Sequence, residues 1–462
     1  MNFLNKKTAK SVPITPVNAD EFSGWLKKQD KKTRSWASAS GYTGAAGSLL
    51  SIPDGRGGVE RVLFGAGKDD SLYTYADLPG KLPKNADGYY IDKKMDGARA
   101  TQAALGWALG SYQYWPYKSG KKKELATLVW PDKADKGEVN AMAEATFLVR
   151  DLVNTPPNDL GPKEIADAAQ KTAKASGKAA VKVIVGDDLL KKNYPTIYAV
   201  GKGSPRKPRL IDIRWGKEKH PRVTLVGKGV AFDTGGLNLK PGNSMALMKK
   251  DMGGAAHVLG LAQMIMAADL PVRLRVLIPA VENSMDGNSF RPSDVIKTRK
   301  GISVEIGDTD AEGRLVLCDA LAEACSEKPG LLIDFATLTG AARVALGPDL
   351  PAVFCNDKKI ALALLDSSEK VQDPLWQLPL WQPYREMLNS KVADINNVGG
   401  SFAGAITAAL YLEKFVDKEI PWVHIDTYAW NSSSKPGRPE GGEALGMRAV
   451  YELIRNRFGK KR

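Results

Sequence analysis

The chain has 462 residues, of which 43% are hydrophobic and 26% charged. This globular mixture excludes disorder as the main state and leaves room for two or three domains of ~150 residues each. The 66 Lys and Arg outnumber the 52 Asp and Glu, giving a net charge of +14, which raises nucleic acid, an acidic membrane or an anionic substrate as partners beside the plainer reading of an enzyme with a cationic surface.

Three cysteines, Cys318, Cys325 and Cys355, stand without a CxxC. They exclude a disulfide scaffold and a thiolate zinc site, and they fit a reducing compartment. Residues 1–16 carry Lys6, Lys7 and Lys10 with no apolar stretch after them, so they do not read as a secretory signal. No run of ~18 apolar residues occurs, so no membrane span is expected. Residues 47–52 and 60–64 read as short strands around the turn Pro53-Asp-Gly-Arg-Gly-Gly58. Residues 98–109 read as an Ala-rich helix and 125–130 as a strand. The stretch 115–123, with Lys118 and Lys121-Lys-Lys123 among aromatics, reads as a solvated loop, with a nucleic-acid patch as the alternative. A helix over 137–153 stops before Asn154-Thr-Pro-Pro-Asn158, whose paired prolines end it.

The expected organisation is an α/β domain over 1–136, a connecting helix and linker over 137–158, and a larger α/β domain over 159–462. In the last, helices are expected at 165–175, 254–268, 311–327 and 403–415. Apolar runs at 181–185, 222–226, 273–279, 331–335 and 422–427 read as strands of a mixed, largely parallel sheet flanked by helices. In such sheets the ligand site lies beyond the carboxyl ends of the strands. The final Lys460, Lys461 and Arg462 read as a solvated basic tail.

Histidine is scarce. His220, His257 and His424 are the only three, with no HExxH pair, and His257 and His424 read as structural. No GxSxG elbow, Walker loop or complete dinucleotide fingerprint is present. The charge gathers instead in three places. After the strand 222–226 comes Gly227-Lys-Gly-Val-Ala-Phe-Asp-Thr-Gly-Gly236, which places Lys228 and Asp233 at a strand end among glycines. Lys240 and Asp251 follow, the latter just before a helix. Ile306-Gly-Asp-Thr-Asp-Ala-Glu-Gly-Arg-Leu315 then packs Asp308, Asp310, Glu312 and Arg314 into seven positions at a helix entry. A solvated strand face does not account for carboxylates gathered at strand ends between apolar flanks. Asp233, Asp251, Asp310 and Glu312 bring four negative charges that two divalent cations would balance, and hard oxygen ligands suit such ions. Two metals ~3.5–4 Å apart are a known device for hydrolysis.

At these three clusters the sequence resembles the leucyl aminopeptidase family of dinuclear metallopeptidases, the cytosol aminopeptidases. Supporting matches are Asn154-Thr-Pro-Pro-Asn158, Phe290-Arg-Pro-Ser-Asp294 and Ala336-Thr-Leu-Thr-Gly340. The likeness covers about residues 150–450 strongly and the N-terminal part weakly. It implies two metal ions per subunit (Mn or Zn, with Mg as an alternative), one on Asp233, Asp310 and Glu312, the other on Lys228, Asp233, Asp251 and Glu312. Lys228 would bind as the neutral amine. Lys240 would polarise the scissile carbonyl, and Arg314 would hold a bicarbonate acting as general base. Met248, Thr337, Leu338 and Gly340 would line the pocket for the N-terminal side chain, an apolar lining that fits Leu or Met. The implied substrates are short peptides with a free N-terminus, in the cytoplasm. The implied assembly is a hexamer of two stacked trimers. Cys-Gly dipeptides or another amide are the alternative substrates, and a nucleic-acid-binding role is the alternative function. Asp308 departs from the family signature, which has Asn there. Its extra negative charge beside the site is expected to shift the pH optimum or the metal preference.

Overall fold

The structure, a computed structural model, describes residues 1–68, 71–85 and 87–459. The basic tail expected at Lys460, Lys461 and Arg462 lies outside the described residues. The chain forms two compact units, one of residues 1–147 with 433–440, the other of residues 148–432 with the chain from Gly441 onward.

The first unit holds a six-stranded sheet of β1 (Phe3–Leu4), β2 (Val12–Pro16), β3 (Leu49–Pro53), β4 (Val59–Phe64), β5 (Tyr89–Ile91) and β6 (Leu128–Val129) in the order β1-β6-β5-β2-β4-β3. β3 and β4 form the expected antiparallel pair; the other pairings are parallel. Helix α1 (Gly97–Gly110) is capped by Asp96, which accepts the Arg99 N–H. It buries Ala103 and Trp107 among Ile14, Val62, Phe64 and Tyr89. Small alanines let the helix backbone approach the sheet, and Trp107 supplies the bulk. In the 115–123 loop, Lys118 lies over the Trp115 ring at 4.7 Å and Trp115 Nε1 donates to Gly120 O, while Lys121 and Lys122 are exposed.

Helix α2 (Lys136–Asn154) contains the division between the units. The second unit continues with α3 (Pro162–Ala175), β7 (Ala180–Val185), β8 (Arg209–Trp215), β9 (Arg222–Gly227), β10 (Gly229–Asp233), α4 (Gly253–Ala267) and β11 (Arg273–Asn283). Then come α5 (Glu312–Cys325), β12 (Leu331–Ala336), β13 (Ala352–Cys355), β14 (Trp376–Gln377), α6 (Gly404–Glu413), β15 (Trp422–Asp426) and α7 (Met447–Phe458). The central sheet runs β14-β13-β15-β12-β9-β11-β8-β7, with β10 paired to the far end of β11. Its middle, β15-β12-β9-β11, is parallel, and antiparallel pairings enter at β13, β8 and β7. A mixed, largely parallel α/β sheet is therefore present.

The parallel strands β12 and β15 are buried end to end and β9 from Val223 onward, as continuous apolar runs require. Helix α4 packs on β9, β11 and β12 and is buried along nearly all its length, because apart from His257 and Gln263 its residues are apolar or glycine. Helix α5 packs on β9 and β11 and places Leu315, Val316 and Leu317 in a core with Val226, Leu277 and Leu332. Register decides what meets at the top of the sheet. Gly227 pairs with Phe335, and Ala336 with Asp426. The residues that follow these strands therefore leave the sheet along one edge, at its carboxyl ends.

Candidate active site

Lys228 follows the last residue of β9. Its N–H donates to Phe335 O and its carbonyl accepts the Ala255 N–H, so its backbone is held between β12 and the first turn of α4. The close approach that this requires is made by Gly254, where a Cβ would stand 2.1 Å from Phe335 O and 2.7 Å from Lys228 N. Asp233 ends β10. One of its oxygens accepts the Gly235 N–H and the Asn283 Nδ2–H, each at 2.8 Å. Asp251 lies in the 3-10 turn Met248–Met252 that leads into α4, and Thr337 Oγ1 donates to its Oδ1 at 2.7 Å. Asp310 and Glu312 lie at the entry to α5.

Five predicted ligand residues thus converge from separate segments. Lys228 Nζ lies 2.8 Å from both Asp251 Oδ2 and Glu312 Oε1, and it donates to Thr337 O at 3.2 Å. Lys240 Nζ lies 2.9 Å from Asp233 Oδ2 and 2.5 Å from Asp310 Oδ1. Asp233, Asp310 and Glu312 offer one oxygen each within 4.8 Å of one another. Asp233, Asp251, Glu312 and Lys228 are all at most 3% exposed. Burial works against the Lys228 ammonium, but the Asp251, Glu312 and Asp233 carboxylates more than reverse it and hold its pKa above the ordinary value. Lys240 is raised in the same way, burial again opposing, chiefly by Asp233 and Glu312. Burial, reinforced by the Asp233 carboxylate, pushes Glu312 well above its usual range and Asp310 up to about 6. Three enclosed oxygens, Asp251 Oδ2, Asp310 Oδ1 and Glu312 Oε1, accept no hydrogen bond of ordinary geometry and face only the two ammonium groups. Crowded carboxylates with oxygens free of regular hydrogen bonds fit hard divalent cations.

Arg314, on the first turn of α5, is buried, and burial lowers its pKa. Its Nη1 donates to Asn397 O at 2.5 Å. Asn397 also braces the 307–311 loop. Its Oδ1 accepts the Gly307 and Asp308 N–H groups, and its Nδ2 donates to Asp308 O and Ala311 O. Asp308 Oδ1 accepts the Asp310 N–H at 2.8 Å, a contact that an asparagine oxygen would make equally well. Asn283 and Asn397 were not singled out from sequence. Each is a neutral residue far along the chain from the cluster it holds, and only the fold brings it there.

A cavity of about 250 Å³ opens onto this cluster. Lys228, Asp233, Lys240, Met248, Asp251, Asp310, Thr337, Leu338 and Gly340 line it, and the predicted Glu312 and Arg314 do not. Its remaining wall is mixed, with Ala342, Pro348 and Leu350 beside Lys250, Arg343, Asp426 and Tyr428. Burial pushes Lys250 down to about 8. His257 and His424 lie away from the cavity lining. His257 is satisfied by Gly253 O and the Leu445 N–H, and His424 Nδ1 lies 2.6 Å from Asp334 Oδ1. The three cysteines are buried and unpaired.

Two family models match the chain. The cytosol aminopeptidase family catalytic domain covers residues 147–451 and the M17 aminopeptidase N-terminal domain covers residues 12–131. A probable cytosol aminopeptidase of Persephonella marina is 38% identical over 90% of this chain and 89% of its own length. A second, from Roseiflexus castenholzii, is 42% identical over 78% and 76%. Among solved structures, the cytosol aminopeptidase of Coxiella burnetii is 49% identical with a TM-score of 0.95, over 99% of both chains. The bottromycin maturation enzyme BotP, solved in complex with Mn, is 32% identical with a TM-score of 0.85, over 97% of this chain and 99% of its own. Matched by family models through both units and by relatives over nearly its whole length, the chain belongs to the cytosol aminopeptidase family, whose members are hydrolases of the metallo-exopeptidase kind.

Proposed function

We propose that this enzyme removes the N-terminal residue from short peptides bearing a free amine. In this reading Asp233, Asp310 and Glu312 hold one divalent ion, and Lys228, Asp233, Asp251 and Glu312 hold the other. The supporting observation is the convergence of four carboxylates and Lys228 at one edge of the sheet, with Lys240 among them. Mn or Zn, with Mg as an alternative, would supply a polarised carbonyl and a water acidified enough to attack it.

The chain's own residues do the rest. Thr337 Oγ1 fixes the Asp251 carboxylate, and Asn283 Nδ2 fixes that of Asp233, so the acidic groups need little rearrangement to bind cations. The substrate's free α-amine would bind one of the ions and a ligand carboxylate, an interaction that an N-acetyl cap would remove. Lys240 would remain charged and place positive charge where the scissile carbonyl oxygen becomes an oxyanion. Arg314 has only Asn397 O as a hydrogen-bond partner among the described residues, which suits it to hold a small planar anion such as bicarbonate as proton acceptor. Met248, Leu338 and Ala342 provide apolar wall for the departing side chain beside Thr337 and Gly340, in keeping with Leu-like residues.

Among the described residues no helix is long and apolar enough to cross a membrane, and a cytoplasmic site of action is part of the proposal. So is a homohexamer. The second unit exposes Val344, Phe402, Val392, Trp376 and Trp381, large apolar groups of the kind that subunit contacts cover.

Hydrolysis rates on unblocked and N-acetylated forms of the same dipeptides test the reading. Cleavage of free forms only, abolished by chelation and reduced at least ~10²-fold in Lys240→Met, is expected. Equal rates on blocked and free forms would reject it.

A further inference from the structure

Two adjacent lysines in the turn Met248–Met252 meet different fates. Lys249 Nζ donates to Asn154 O at 2.9 Å and lies 5.4 Å from the Trp430 ring centroid. Lys250 is only 5% exposed and lines the cavity, yet among the described residues its ammonium has neither a hydrogen bond nor a carboxylate within salt-bridge distance. Its one close partner is the Tyr428 ring, 5.0 Å from Nζ, and Arg343 lies 4.8 Å from the centroid of the same ring.

The nearest carboxylates are committed elsewhere. Asp426 accepts from the Leu338 and Thr339 N–H groups and from Thr339 Oγ1. Asp251 takes the Thr337 hydroxyl and lies against Lys228. A buried ammonium held only by an aromatic face is costly. A protein retains such a group most readily where a ligand completes it. An anion entering this cavity would meet Lys250 and, at the rim, Arg343, and a carboxylate is the anion that a peptide carries.

We propose that Lys250 is a specificity residue that binds a carboxylate of the substrate, either the side chain of an acidic N-terminal residue or the free C-terminus of a dipeptide. This rests on the aminopeptidase reading and deepens it. Beside the apolar wall of Met248 and Leu338, it adds a charged subsite to the same cavity.

Two substrate pairs separate the sources. Glutamate and glutamine p-nitroanilides differ in the side-chain carboxylate alone, and Leu-Gly and Leu-Gly-amide differ in the terminal carboxylate alone. The holoenzyme is expected to prefer the carboxylate-bearing member of one pair by about tenfold or more in kcat/KM, mainly through KM. Lys250→Met should collapse that preference and Lys250→Arg should restore most of it. A glutamate preference assigns the side chain, and a Leu-Gly preference assigns the C-terminus. Ratios within twofold in both pairs for the wild-type enzyme overturn the proposal even if Lys250→Met fails to fold. An equal loss on all four substrates in Lys250→Met, with the ratios kept, also overturns it, because Lys250 would then serve only to place Asp251. Failure to cleave any of the four would refute the aminopeptidase reading and this subsite with it.

Discussion

Replacing Gly254 by alanine perturbs the site without touching a charged group. The added methyl would stand 2.1 Å from Phe335 O and 2.7 Å from Lys228 N, where ordinary contact begins at 3.4 Å. Phe335 O cannot retreat freely, because it accepts the Lys228 N–H, and the neighbouring Ala255 N–H is tied to Lys228 O. The start of α4 must therefore move away from the ends of β9 and β12 by about 1 Å in an interior packed like a crystal. Overpacking of this kind costs ~1–3 kcal/mol, or about 1.5–2 °C in Tm for each kcal/mol in a unit of this size. The larger effect falls on Asp251, which lies just before α4 and must stay 2.8 Å from Lys228 Nζ. A misplacement of ~1 Å costs on the order of 10²-fold in rate. Gly287→Ala is the control, since a Cβ there meets nothing within 4 Å. The assay pairs thermal unfolding with kcat for both variants. Wild-type kcat and Tm in Gly254→Ala would refute the argument that this contact sets the position of Asp251.

Other outcomes follow from the same structure. Arg150→Met removes the partner of a buried carboxylate, Glu443, which accepts Arg150 Nε at 3.1 Å and Nη2 at 3.0 Å; urea unfolding should show a loss of ~3–5 kcal/mol, and a loss under ~1 kcal/mol would contradict the buried pair. Burial opposes protonation of His424, yet the Asp334 carboxylate raises its pKa. The stabilisation from this pair should thus be complete below pH ~6.5 and fade as pH rises through the folded-state pKa. The Tm gap between wild type and His424→Gln should shrink over that range, and a gap that widens would contradict the sign. Asp308→Asn keeps the oxygen that accepts the Asp310 N–H, so any change is electrostatic. Calorimetric titration with Mn and Zn should show altered affinity or preference, and identical isotherms would remove Asp308 from the account. Sedimentation should give six times the chain mass, and a monomer would reject the hexamer.

The candidate site was legible because its residues sit where an open parallel sheet exposes ligands, directly after the apolar runs ending at 226 and 335 and at the helix entry after 310. What holds those residues was not. The apolar run read as a strand over 273–279 continues as β11 to Asn283, because β10 pairs with its far end, Asp233 opposite Asn283. That extension brings Asn283 Nδ2 to Asp233. Arg209, Asp212 and Arg214 break the apolar run of β8; Asp212 and Arg214 are tolerated there because Asp212 is paired with both Arg214 and Arg275. Lys250 was visible only as half of a Lys-Lys pair. Nothing in its spacing says that one lysine reaches a backbone carbonyl while the other is buried in the cavity wall.

The central claim is that the Lys228, Asp233, Asp251, Asp310 and Glu312 cluster holds two divalent ions on which peptide hydrolysis depends. The direct test is to strip the protein with a chelator, titrate Mn back, and follow bound metal and leucine p-nitroanilide hydrolysis in the same samples. Saturation at two ions per chain is expected, with activity rising as they bind and with less metal and little activity in Asp310→Ala. Full hydrolysis by the stripped protein, or unchanged Mn binding in Asp310→Ala, would contradict it.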